Sequence, residues 1–130
     1  MSSYLNIYLK VKNKEMKESA FILLDDYSRN SDIYQAFYEE GNFYSSTGEK
    51  FELTETIFQS VLNSLQEQIN DCLLYIDTAR ELRNAEIQEV VERKEYMKEL
   101  EATRTYVSFL YSLLKNKEYS DIEGIYCNID

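Results

Sequence analysis

The stretch Leu53–Ala85, LTETIFQSVLNSLQEQINDCLLYIDTARELRNA, decides how this chain folds. Phe58, Leu62, Leu65, Ile69, Cys72, Ile76 and Ala79 recur at alternating spacings of four and three, the seam of a coiled-coil-like helix. Val61, Leu73 and Leu82 widen that stripe, so the helix is expected to pack on a sheet as well as on a helical neighbour. Thr54 stands where an N-cap belongs, with Leu53 before it and Phe58 four places into the helix, the arrangement of a hydrophobic staple.

A second helical stretch runs from about Glu86 to Lys117, and neither glycine nor proline interrupts the chain between Gly48 and Gly124. Its last third, Tyr106–Leu114 (YVSFLYSLL), is strongly apolar, whereas Glu86–Arg104 is mostly charged, so only the last third is expected in a core. Two antiparallel helices joined near Arg83, Asn84 and Ala85 return Tyr106–Leu114 to the side of Phe58–Leu65 and leave the charged half as a projecting arm. Asn84 suits the left-handed cap such a turn uses. Without the turn, one helix of more than about sixty residues would need a partner chain to bury its seam; lone helices of that length are rare, which favours the hairpin.

Working outward, residues 4–12 (YLNIYLKVK) alternate, with Leu5, Ile7, Leu9 and Val11 on one face of a half-buried strand. A polar turn at Asn13–Glu18 leads to the apolar run Ala20–Leu24, read as a second, antiparallel strand. After Asp26 the period changes: Ile33, Ala36 and Phe37 share one side of a short helix that Ser31 caps and Gly41 ends. Asn42–Lys50 reads as a loop or short extra hairpin flanked by Phe43, Tyr44 and Phe51. In the tail, Ile125, Cys127 and Ile129 alternate as a third strand docking on the N-terminal hairpin. The expected fold is a single α+β domain over 1–130: sheet and short helix in 1–52, a long antiparallel helical hairpin in 53–117, and a tail with a possible strand in 118–130.

Composition excludes more than it selects. There are 24 acidic residues against 14 basic ones, a formal charge of −10, which opposes tracking along a phosphate backbone and removes nucleic acid as a direct partner. The same charge serves solubility or draws a basic protein partner. No histidine is present, which removes the commonest general base, Ser–His and Cys–His nucleophiles and every His-containing zinc site. Cys72 and Cys127 read as reduced core thiols, placing the chain in a cytoplasm, and no apolar run reaches bilayer length. No cofactor or metal is called for.

Several short patterns suggest chemistry and lack the rest of it. Asp25 and Asp26 follow an apolar strand as metal-holding acids do, but GNFYSSTGEK lacks the spacing and ending of a phosphate-binding loop. Glu15–Lys17 and Glu92–Lys94 echo nuclease triplets, but the first falls in a turn and the second on a charged helix, and Ser112 with Lys115 has an acyl-transfer spacing without its companion motifs. Two surfaces remain. Glu86, Glu89, Glu92, Glu95 and Glu99 recur every three or four residues as an acidic stripe on the arm, which Arg93, Lys94 and Lys98 partly neutralise; it is either a solvated helix face or a dock for a basic partner. The stretch Tyr27–Tyr44 sets Arg29, Asn30 and Ser31 before a helix N-terminus, with Tyr27 and Tyr34 able to stack on a ring, a candidate anion or nucleotide site. Against it, Asp32 repels phosphate and capping alone explains Ser31; the stretch reads first as core and connection, next as a protein-contact surface with Tyr38 and Tyr44, and last as a ligand site.

The opening SSYLNIYLKVK, followed by YSRNSDIYQAF, resembles the short acidic proteins encoded by bacteriophages and other mobile elements, over roughly the first forty residues and without a catalytic motif. That resemblance implies a non-enzymatic inhibitor, acting in a host cytoplasm by binding host or defence machinery. The expected function is therefore protein–protein interaction, with self-association as a homo-oligomer through the long seam. The alternatives are a binder of a small anionic ligand at Arg29 and a metal-dependent hydrolase using Asp25 and Asp26.

Overall fold

The computed structural model describes residues 4–13, 18–41, 49–82, 87–116 and 121–129. Its elements are β1 (Tyr4–Asn13), β2 (Glu18–Ser28), α1 (Asp32–Gly41), β3 (Phe51–Glu52), α2 (Glu55–Leu82), α3 (Ile87–Lys115) and β4 (Ile122–Ile129). The strands form one antiparallel sheet in the order β2-β1-β4-β3, and α2 and α3 pair as a long helical hairpin, giving the expected α+β architecture. The residues assigned to the turn, Arg83, Asn84 and Ala85, lie outside the described residues, as do Phe43 and Tyr44.

Alternation along β1 does what a half-buried strand requires: Leu5 and Ile7 are fully buried, facing Ile129 and Cys127 of β4 across the ladder. The tail strand is thus an inner strand, with Ile125 and Cys127 in the core. Sequence reading undersized β2 as Ala20–Leu24. Its pairing with β1 continues to Ser28, past an irregularity in which Ile7 faces Asp25 and Tyr8 faces Leu23, leaving Leu24 as the extra residue of a bulge. Asp25 and Asp26 therefore lie within the strand rather than beyond its end. Such a charged stretch is tolerated because β2 is an edge strand, exposed at every position except the half-buried Tyr27.

Thr54 caps α2 as its position predicts: its Oγ1 accepts from the Ile57 N–H at 3.3 Å. Leu53 and Phe58 are both fully buried, completing the staple, and the Leu53 N–H donates to the Ile125 carbonyl at 2.8 Å. Phe58 stacks on Tyr111 of α3 (5.6 Å between centroids) and meets the edge of Phe37 of α1 at 5.9 Å.

The seam differs in detail from its predicted membership. Phe58, Val61, Leu65, Ile69, Cys72 and Ile76 are buried, whereas Leu62 is only half-buried and Leu73 is 43% exposed. Leu62 and Val61 exchange roles because α1 packs on the early turns of α2 and pulls the buried stripe toward its own side. The helix lying along β4 is α3, while α2 packs chiefly on α3 and α1, so the expected seat of α2 on the sheet is taken by α3. The side chain of Leu82 lies outside the described set. On α3 the core reaches beyond Tyr106–Leu114: Leu100 is buried and Met97 packs beside it, one heptad before Val107 and continuing the same stripe. Phe109, inside the apolar run, is 52% exposed. Because α3 covers the seam within one chain, the seam itself supplies no reason for self-association.

Chemical denaturation tests this junction: Thr54→Ala should cost about 1 kcal/mol through the lost cap, and Phe58→Ala about 3–5 kcal/mol through the cavity left between α1, α2 and α3. Equal, small losses for both would mean that Phe58 is not anchored as described.

Candidate functional site

The aromatic stretch that opens α1 is spent on the fold. Ser31 Oγ donates to the Ser28 carbonyl at 2.7 Å and accepts from the Tyr34 N–H at 3.3 Å, so the cap is occupied by its own helix. Tyr34 is only 4% exposed and stacks on Tyr38 at 5.8 Å, which leaves it no free face for a ligand ring. Tyr27 turns toward α3, meeting Tyr106 at 5.7 Å, and its hydroxyl donates to Asp25 Oδ2 at 3.0 Å. Burial, then the neighbouring Tyr106 and Asp25, raise the Tyr27 phenol well above its ordinary range. Burial also raises Tyr106, whose hydroxyl has no hydrogen-bond partner among the described residues. Arg29 and Asn30 occupy the exposed turn, where the Arg29 carbonyl accepts from Gln35 Nε2 at 2.7 Å. Of the proposed ligand set only the Arg29 and Asn30 side chains present themselves to solvent; Tyr44 lies outside the described residues.

Among the described residues the catalytic patterns do not assemble into sites. Asp25 Oδ1 accepts from the Asp26 N–H at 2.8 Å, and among the described residues no group of three or more His, Cys, Asp or Glu is placed to hold a metal ion. Ser112 donates to the Phe109 carbonyl at 2.7 Å, a back-bond within its helix, while Lys115 Nζ sits 4.6 Å from the centre of the Tyr111 ring. Glu92 accepts from Gln88 Nε2 at 3.0 Å, and Glu15 and Lys17 lie outside the described residues.

The arm carries the more developed surface. Glu89, Glu92, Glu95 and Glu99 are all exposed, and among the described residues none of them forms a salt bridge; Glu86 lies outside that set. Among the described residues Arg93, Lys94 and Lys98 form no salt bridge with these carboxylates; Arg93 lines the same recess and lays its guanidinium 4.6 Å from the centre of the Tyr75 ring. Tyr75, Glu89, Glu92, Arg93 and Tyr96 together line an open recess of about 480 Å³. Its rings are held in place: Tyr75 donates to Glu89 Oε2 at 2.8 Å and Tyr96 to Gln68 Oε1 at 3.3 Å. Burial, then the carboxylate of Asp32, push the Tyr96 phenol upward. Sequence reading found the carboxylates and missed Tyr75 and Tyr96, although Tyr96 lies one turn from Glu92 and was legible as its neighbour.

Two further clusters come from distant segments. At the base of α2, Glu52, Leu53, Thr54, Glu55, Tyr111, Leu114 and Lys115 line a recess of about 370 Å³, where Tyr111 donates to Glu55 Oε1 at 2.6 Å. On the sheet face away from the helices, Phe21 meets the Tyr8 and Tyr126 rings edge-on at 6.4 and 5.2 Å, with Lys10 and Lys50 over the rings. No protein-family model, curated protein or solved structure matches this chain. No helix among the described residues is long and apolar enough to cross a membrane.

Burial pushes the Cys127 thiol up to about 12. A thiol whose folded pKa lies above its unfolded value adds stability that is complete below about pH 9 and is lost as pH climbs toward 12. Urea unfolding across that window should show a declining free energy whose slope is shallower in Cys127→Ala, the remainder coming from Tyr27 and Tyr106; identical slopes would remove Cys127 from the alkaline transition.

Proposed function

We propose that this chain is a non-enzymatic protein-binding module that captures a basic partner along the acidic face of its α2–α3 arm. The observation that carries the reading is the row of exposed, unbridged carboxylates Glu89, Glu92, Glu95 and Glu99 beside the recess of Tyr75 and Tyr96. A helix face whose carboxylates are not tied up in direct salt bridges can offer them to another molecule, and a chain of charge −10 steers a basic surface toward it. Tyrosines pinned by hydrogen bonds bury area at little entropic cost, which makes Tyr75 and Tyr96 the anchors and the glutamates the rim. A lysine or arginine of the partner would meet in that recess the carboxylates of Glu89 and Glu92 and the ring of Tyr96, the Tyr75 ring being covered by Arg93.

In the setting that the resemblance to phage and mobile-element proteins implies, capture of this kind acts by occupancy: the arm covers a basic working surface of a host or defence protein. The small-anion reading draws less support, since Ser31 is engaged by its own helix and Tyr34 is buried.

Affinity capture from a bacterial lysate tests the reading. Exchange of Glu89, Glu92, Glu95 and Glu99 for Lys should abolish capture while circular dichroism and melting stay as in the wild type, and wild-type capture should weaken as salt rises. Tyr75→Ala and Tyr96→Ala should each weaken it about tenfold or more. Undiminished capture by the charge-reversed chain would remove the arm from the function.

A further inference from the structure

We infer that the open edge of β2 is a second docking surface, built to accept an extended segment of another protein with apolar side chains at its centre and Lys or Arg at both ends. β2 ends the sheet order, so the outer side of its backbone faces no strand among the described residues. The opposite edge, β3, is only two residues long, a length that offers little to pair with. β2 runs for 11 residues and carries Phe21, Ile22, Leu23 and Leu24 consecutively, with Ile22 52% and Leu23 53% exposed. Neither proline nor lysine occurs in it, and its other guards, the bulge at Leu24 and the carboxylates of Glu18, Asp25 and Asp26, flank the apolar stretch Ala20–Leu23 rather than interrupt it. Its register gives each face a definite chemistry. Phe21 and Leu23 lie opposite Lys10 and Tyr8 on the face away from the helices, and Ala20 and Ile22 lie opposite Val11 and Leu9 on the other. An added strand would therefore find apolar neighbours on both faces along Ala20–Leu23, before the bulge at Leu24 interrupts the ladder.

Charge selects the occupant. Glu18 precedes the apolar block and Asp25 and Asp26 follow it, all exposed. A second copy fits poorly. Two antiparallel strands related by a two-fold in one sheet must place one residue opposite itself, because paired residues share a face. With Leu24 set aside as the bulge residue, centring on Ile22 sets Asp25 against Ala20 and Asp26 against Ser19; centring on Leu23 sets Asp25 against Ile22 and Asp26 against Phe21. Each of these covers a carboxylate with apolar surface, between molecules of charge −10. A heterologous strand with basic ends satisfies both ends and the centre together.

This surface is separate from the arm and rests only on the reading that the chain binds protein. The probe is the peptide Lys-Lys-Val-Thr-Val-Thr-Val-Lys-Lys, titrated into the full chain labelled with nitrogen-15, against the same peptide with Glu at its ends and one with proline at its central Val. The lysine-flanked peptide should perturb the amides of 18–23 and bind at least about tenfold more tightly than either control. Leu23→Lys, at a half-exposed site where the fold should survive with its melting temperature kept, should lose that binding, while the arm charge reversal keeps it. The edge proposal is overturned by perturbations confined to 87–99, by equal binding of the proline peptide, by binding that survives Leu23→Lys, or by sedimentation showing a dimer that Leu23→Lys dissolves. Because the arm variant is read in the same titration, failure of the arm and failure of the edge give different patterns.

Discussion

The fold is fastened at one junction, where the chain leaves the sheet to begin its long hairpin. Leu53 is bonded through its N–H to Ile125 of the innermost part of the sheet, and its side chain is sealed in the core. Five residues later Phe58 enters the space between Phe37 and Tyr111, so one aromatic side chain holds α1, α2 and α3 together. Thr54 between them satisfies a free N–H of the solvent-exposed helix start. From this point the direction of α2 is set, α3 is obliged to return along it, and the arm projects from the far end.

That geometry separates a stable end from a presenting end. Near the sheet, rings and branched side chains are buried and the polar groups are used locally, as with Ser31, Ser112 and the Asp25–Tyr27 contact. Toward the arm, the hairpin retains a thin apolar seam through Cys72 and Ile76, and its outer surface is given to carboxylates and two held tyrosines. A rigid helical scaffold carrying charge at its distal half keeps the carboxylates at fixed spacing, which favours recognition of a surface over recognition of a single small molecule.

Much of the fold was legible because local signals and global packing agree. The Thr54 cap, the Leu53–Phe58 staple, the alternation of β1 and the alternation of Ile125 and Cys127 each require a particular element, and each is present. What sequence reading missed depends on neighbours that no local pattern names. Val61 takes the seam place of Leu62 because of α1, and β2 keeps an apolar run in solvent because it ends the strand order, with no strand beyond it among the described residues. An apolar run of four reads as core in any chain; only the strand order reveals it as an edge. The candidate sites divide in the same way. The glutamates of the arm were visible from helical spacing alone, whereas Tyr75 joins them from the facing helix and could be placed only once the hairpin was known to close. Tyr34 lies in the core, which agrees with reading this stretch first as core and connection and leaves little for a ligand ring.

The position of β4 bears on how the molecule comes into being. β1 pairs with it across most of the chain, and the Asn6–Asn128 side-chain bond spans 122 positions. On a ribosome the α2–α3 hairpin, whose contacts are between adjacent elements, can form while the inner edge of β1 still waits for its partner. Closing so large a loop costs only a slowly growing entropy, but it cannot begin until β4 has been synthesised. For that interval the nascent chain holds β1 and β2 as a hairpin with both edges open. The acidic residues along β2 then act as gatekeepers during birth, well before they face any partner.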